Sequence, residues 1–163
     1  KWGNYKSLNR NSIGIEISNP GHEYGYRKFS HNQIKCLIRI SKYIIKKYNI
    51  DNNKILGHSD IAPLRKKDPG EKFPWKLLSK KKIGIWHDIN SKILKSLRGK
   101  KSEFKLNKFI IYLKNLGYNM EYSNLNELRK IIKVFQMRFR PELIDGKFDL
   151  ECYKIAKSLY NLR

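Results

Sequence analysis

Between Ser12 and Ile17 the chain alternates, with Ile13, Ile15 and Ile17 on one side and Ser12, Gly14 and Glu16 on the other, the period of a half-buried strand. Asn19-Pro20-Gly21 closes that run with turn chemistry. The period then changes. Ser30-x-x-Gln33 reads as a capping box, and Ile34, Leu37, Ile38, Ser41, Ile44, Ile45 and Tyr48 recur at helical spacing, predicting a helix with one buried face. The apolar pair Ile55-Leu56 leads into Gly57-His58, after which Pro63, Pro69, Gly70 and Pro74 forbid a long helix as far as Trp75. An irregular segment of that length inside a compact domain usually carries function. The basic stretch 77–102 predicts a connection with one short helix. Three helices follow: Leu106, Phe109, Ile110, Leu113 and Leu116 form a stripe ended by Gly117, Asn124 caps a second with Leu128, Ile131, Ile132, Phe135 and Phe139 inward, and Asp149 caps a third with Cys152, Ile155, Ala156 and Leu159 inward.

Composition narrows the picture. A chain of 163 residues with 40% hydrophobic residues buries a core as one ordinary domain or two small ones. No run approaches the roughly 18 apolar residues of a membrane span. The formal charge of +22 invites a nucleic-acid partner, but Lys outnumbers Arg 27 to 9 and the lysines spread along the whole chain. A nucleic-acid reader concentrates arginine on one element, so no nucleic-acid partner is expected. Cys36 and Cys152 stand in no Cys-x-x-Cys pair, which removes a redox motif and a cysteine zinc knuckle and leaves two separate buried thiols as the expectation. The first residue is Lys1 and no signal peptide opens the chain, so the expectation is that its start is not the translation start.

The candidate chemistry lies in Gly57-His58-Ser59-Asp60-Ile61-Ala62-Pro63-Leu64-Arg65-Lys66-Lys67-Asp68-Pro69-Gly70. Imidazole and carboxylate are both zinc ligands, and a proline-stiffened loop brings positions ten apart together. On spacing alone, a capped turn is the expected reading of His58 and Asp68, ahead of a zinc site.

Several separated motifs resolve that ambiguity. Ser12-Ile13-Gly14-Ile15-Glu16, then Gly57-His58-Ser59-Asp60-Ile61-Ala62-Pro63, Arg65-Lys66-Lys67-Asp68-Pro69-Gly70 and Phe73-Pro74-Trp75, closely resemble the AmpD/AmiD-type zinc-dependent N-acetylmuramoyl-L-alanine amidases. Further on, Phe135-Gln136-Met137-Arg138-Phe139-Arg140-Pro141 with Asp145-Gly146 resembles the peptidoglycan-binding-like helical domain that follows the amidase in AmiD-type members. The resemblance implies an α/β (α+β) amidase domain over 1–95, with a mixed central sheet flanked by helices, and an all-α three-helix domain over 103–163.

It also implies roles. His58 and Asp68 match two of three protein ligands of a catalytic Zn2+, Glu16 the general base towards the attacking water, and Lys66 the lysine that stabilises the tetrahedral intermediate. Arg65 is a candidate for the stem-peptide carboxylates. The implied reaction hydrolyses the amide between N-acetylmuramic acid and L-Ala of the peptidoglycan stem, with peptidoglycan or a muropeptide as partner. The bland alternatives to these roles are Glu16 as an exposed residue on the polar face of an edge strand and Lys66 as part of a solvated charge run, while Phe73-Pro74-Trp75 is expected to be a packed aromatic plug and not a substrate platform. The third zinc ligand of the family is a histidine on an earlier strand. Only Lys1–Asn11 precede the Glu16 motif here, and His22, His31 and His87 do not match that position. The expectation is therefore a histidine upstream of Lys1, carried on an N-terminal part that is missing or bound as a separate fragment. The alternative is a non-catalytic peptidoglycan-binding protein with an incomplete metal site. The helical domain, by resemblance, points to the cell envelope (periplasm or outer membrane) over the cytoplasm.

Overall fold

The capping signals place the long helices. In the computed structural model, which describes residues 1–162, the short α1 (Leu8–Asn11) precedes α2 (His31–Tyr48). Ser30 Oγ accepts the Gln33 N–H at 3.2 Å and Gln33 Oε1 accepts the Ser30 N–H at 2.8 Å, so both halves of the capping box form. Three short helices follow, α3 (His58–Ile61), α4 (Trp75–Ser79) and α5 (Ser91–Leu97). Region 77–102 thus holds most of α4 as well as the one helix expected. The last three are α6 (Glu103–Leu116), α7 (Leu125–Phe139) and α8 (Leu150–Asn161). Asn124 caps α7 through the Glu127 N–H at 3.0 Å, and Asp149 caps α8 through the Cys152 N–H at 2.9 Å. No described helix is long and apolar enough to cross a membrane.

The expected mixed central sheet is absent from the described residues, where one isolated bridge, Trp2 with Tyr5, is the whole of the β-structure. Residues 12–17 have the alternation of a strand but pair with nothing. Alternation fixes which way side chains point, whereas a strand also needs a neighbouring backbone to complete its ladder. Ile13 and Ile15 are accordingly 50% and 41% exposed, and Ile17 alone of the three packs on a core. The same lack of cover reaches α2: Leu37 and Ser41 are buried, Ile34, Ile38, Ile44 and Ile45 half-buried, and Tyr48 exposed. Cys36, expected inside, is exposed, while Cys152 is buried.

Two apolar clusters hold the chain. The smaller joins Leu37, Phe73, Trp75, Leu78 and Ile83. Phe73 and Trp75 pack edge to face at 4.8 Å, as expected of an aromatic plug. The larger gathers α6, α7 and α8 around Phe109, Ile131, Phe135 and Ile155, and takes in Leu94 from α5 and Trp2. Gly117 makes that last contact possible. It ends α6 at φ +117°, and a Cβ there would lie 2.5 Å from the Trp2 ring. Trp86 packs on both clusters.

Beneath α8 lies a buried ionic network. Arg140, 1% exposed, reaches Asp149 at 2.6 Å, Glu151 at 3.2 Å and Asp145 at 3.2 Å. Glu151 also takes a forked pair of bonds from Arg98 at 2.6 and 2.8 Å, which ties α5 to α8. Gln136 completes the turn below, accepting the Gly146 N–H at 2.8 Å and donating to Asp145 and the Lys147 carbonyl. Removing one partner of such a network leaves carboxylates buried without a counter-charge. Arg140→Met is therefore expected to cost about 3–5 kcal/mol, read as a lowered urea midpoint.

His87 lies in the segment between α4 and α5. It is buried, stacks on Trp86 at 5.1 Å, and donates from Nε2 to the Phe139 carbonyl at 3.2 Å. Burial pushes its imidazole below the ordinary value of 6.5, Lys76 adds to the fall, and the Phe139 bond, Glu142 and Asp88 oppose it. Below about pH 6.5 the unfolded chain then takes up a proton that the folded one refuses. Stability present above that pH falls as the pH drops towards the lower folded value. A pH series of thermal melts checks this, and His87→Gln, which keeps a donor for Phe139, is expected to flatten the slope between pH 7 and about 5.

Candidate active site

His58 and Asp68 are ten positions apart, and local bonds fold the loop back until the two meet. Gly57 opens α3, and its N–H donates to Asp60 Oδ2 at 2.8 Å. The Ala62 N–H returns to the His58 carbonyl at 3.0 Å, and the N–H groups of Arg65 and Lys66 both reach the Ala62 carbonyl. The return arm then lies against α3, where the Ser59 N–H donates to the Asp68 carbonyl at 2.9 Å. Gly57 allows this approach, since a Cβ would sit 2.8 Å from Pro69 Cδ. The result is His58 Nδ1 at 3.0 Å from Asp68 Oδ2.

Asp60, which sequence reasoning passed over, anchors the loop. Its side chain is 1% exposed. Oδ1 accepts from the Tyr118 hydroxyl at 2.7 Å, and Oδ2 accepts from both Gly57 and Arg138 Nη1. Arg138 also donates to the Ile55 carbonyl at 3.0 Å and lies 4.1 Å over the Trp75 ring. Burial, together with the Asp60 charge, holds the Tyr118 phenol well above its ordinary pKa, so it remains a donor. The signal for Asp60 was its position three residues after Gly57, where a carboxylate can turn back to a helix start. Arg138 carried a signal too, as a cation between Met137 and Phe139 on α7.

The return arm has its own anchors. The Tyr26 hydroxyl donates to the Pro69 carbonyl at 2.7 Å and accepts the Lys72 N–H at 2.9 Å, and His22 meets Glu71 at 3.0 Å. His22 therefore pairs with a carboxylate across the loop.

The other expected site residues are placed less tightly. Lys66 is half-buried two residues before Asp68, and Arg65 beside it is exposed. Glu16 is exposed on the extended 12–17 segment, and among the described residues no hydrogen bond or ion pair joins it to His58 or Asp68. The structure thus brings His58 and Asp68 together and keeps Lys66 and Arg65 on their loop.

The donor chemistry suits zinc in part. Two ligands on a tetrahedral ion with bonds of 2.0–2.1 Å lie roughly 3.3 Å apart, close to the 3.0 Å between His58 and Asp68. Among the described residues no group of three or more His, Cys, Asp or Glu side chains could hold a metal. The pair fits two of the three protein positions of a catalytic zinc, and the described residues supply no third. Cys152 is no substitute, because burial pushes its thiol up to about 12.

Comparison with known proteins shows what the chain is similar to. Residues 1–71 match the family model described as N-acetylmuramoyl-L-alanine amidase. Over 166 aligned residues the chain is 36% identical to N-acetylmuramoyl-L-alanine amidase AmiD of Escherichia coli K12, covering 97% of this chain and 60% of that protein. It is 38% identical over 64 residues to the 1,6-anhydro-N-acetylmuramyl-L-alanine amidase AmpD of Enterobacter cloacae, covering 39% of this chain and 32% of that protein. The solved complex of E. coli AmiD with anhydro-N-acetylmuramic acid-L-Ala-D-gamma-Glu-L-Lys superposes with a TM-score of 0.85 at 34% identity, over 99% of this chain and 65% of that one. AmpDh3 from Pseudomonas aeruginosa gives 0.84 at 30% identity, over 99% and 66%. The chain spans 60% of the length of E. coli AmiD. Residues 1–71 thus match the family model of the N-acetylmuramoyl-L-alanine amidases, and over almost its whole length the chain is similar to AmiD of E. coli.

Proposed function

We propose that this chain carries part of the catalytic apparatus of a zinc-dependent N-acetylmuramoyl-L-alanine amidase, which cleaves the amide between N-acetylmuramic acid and L-Ala of the peptidoglycan stem. The observation that carries this reading is the convergence of His58 and Asp68 at 3.0 Å on a loop homologous to that of AmiD. The relative solved with an anhydro-muramyl tripeptide supports the substrate class. His58 and Asp68 would hold the zinc ion together with a third donor from outside the described residues, as the sequence resemblance implies for a histidine. When bound, the ion polarises the scissile carbonyl and makes water more acidic.

The remaining steps belong to side chains of this chain. Glu16 takes the proton from the attacking water and passes it to the leaving amine of L-Ala. Lys66 places an ammonium beside the oxygen on which charge develops. Arg65, exposed on the same turn, meets a carboxylate of the stem peptide. In this reading residues 1–95 belong to the amidase domain and residues 103–163 form a three-helix domain that holds the cell wall, in the envelope. No nucleic acid takes part.

One observation favours a second reading, a peptidoglycan-binding protein without turnover: among the described residues two metal donors meet where a catalytic zinc needs three. A turnover assay separates the two. Full-length protein with one equivalent of zinc is expected to release free tripeptide from anhydro-N-acetylmuramic acid-L-Ala-D-gamma-Glu-L-Lys. Glu16→Gln is expected to lower kcat by about 10²–10⁴ with zinc content unchanged, and His58→Ala to abolish zinc retention after dialysis. Substrate bound without release in the zinc-loaded wild type would establish the second reading.

A further inference from the structure

Tyr26 has no role in the chemistry above, yet it grips the segment that carries Asp68. Its hydroxyl is used twice, donating to the Pro69 carbonyl at 2.7 Å and accepting the Lys72 N–H at 2.9 Å. The Tyr26 carbonyl accepts from Lys72 Nζ at 2.6 Å, and that ammonium lies 4.8 Å from the ring centre. His22 packs on the same ring at 4.3 Å and reaches Glu71 at 3.0 Å. Residues 22–26 thus hold 69–72 through two backbone groups and two side chains.

The fit is close. Gly70 has a φ of +80°, and a Cβ there would lie 2.5 Å from the Tyr26 hydroxyl oxygen. Burial, partly offset by the Lys72 N–H, pushes the phenol up to about 12. The proton given to Pro69 therefore stays in place across the neutral range. On its other side a backbone bond runs from the Ser59 N–H to the Asp68 carbonyl, beside the contact of His58 with Asp68.

We propose that Tyr26 is a positioning residue for Asp68: its hydroxyl clamps the Pro69–Lys72 arm and so sets where the carboxylate stands relative to His58. The inference rests on the reading of His58 and Asp68 as metal ligands. Groups one step behind a ligand set its aim, and their loss typically costs 10–100-fold in metal affinity or activity.

Tyr26→Phe tests it, because the ring stays against His22 and beside Gly70 while the hydroxyl is lost. In full-length protein, the zinc Kd measured by competition with a chromophoric chelator is expected to weaken about 10–100-fold. The visible absorption of the cobalt(II)-substituted protein is expected to change with it, and the thermal midpoint to stay near that of the wild type. The same Kd and the same cobalt spectrum in both proteins would overturn the proposal. A wild type that retains no metal would instead overturn the ligand assignment, and amide exchange then decides on the clamp. The Ser59 N–H does not touch Tyr26, so about tenfold faster exchange there in Tyr26→Phe, the loss of roughly one hydrogen bond, supports a displaced arm. Unchanged Ser59 exchange refutes it.

Discussion

The contact between Asp60 and Arg138 is the constraint on which the site depends. It joins the turn that carries His58 to α7, 78 positions away. Both side chains are almost fully buried, so neither charge could stand alone there without a penalty of several kcal/mol. Each is met on several sides. Asp60 takes bonds from Tyr118 and Gly57, while Arg138 reaches the Ile55 carbonyl and lies over Trp75. Helix α3 is four residues long and has little stability of its own. Its geometry is imposed by this pair, which makes the C-terminal helices part of what shapes the candidate active site.

The distribution of charge follows the same logic. The buried carboxylates Asp60, Asp149 and Glu151 are all met by arginine, through Arg138, Arg140 and Arg98. Arginine suits that place, since its planar fork serves several acceptors at once and it is more weakly hydrated than an ammonium. Three of the 9 arginines serve these buried carboxylates, and the charge of +22 is carried largely by the 27 lysines. A large positive charge of this kind governs solubility and encounter with anionic partners, and leaves the fold to other interactions.

Much of the helical part was legible because its signals are local. Ser30, Asn124 and Asp149 cap where their side chains allow, and Gly117 ends α6 where a left-handed residue is needed. The sheet was misjudged because pairing is not local: Ile13, Ile15 and Ile17 alternate as in a strand, but the described chain offers no partner backbone. At the site, the resemblance singled out His58 and Asp68, and the fold does bring them together. Asp60, Tyr26 and His87 were passed over because their partners, Arg138, Pro69 and Phe139, lie 43 to 78 positions away. No periodicity encodes such a pairing. Glu16 illustrates the converse, a residue whose motif is plain while its side chain stands exposed.

The measurement that tests the central claim most directly is a double-mutant cycle on the buried pair, with Asp60→Asn and Arg138→Met unfolded singly and together in urea. If the pair holds α3 against α7, Arg138→Met alone costs about 3–5 kcal/mol by stranding the Asp60 charge, and the double variant costs clearly less than the sum of the two singles. Costs that add to within about 0.3–0.5 kcal/mol, as for independent sites, would contradict the account.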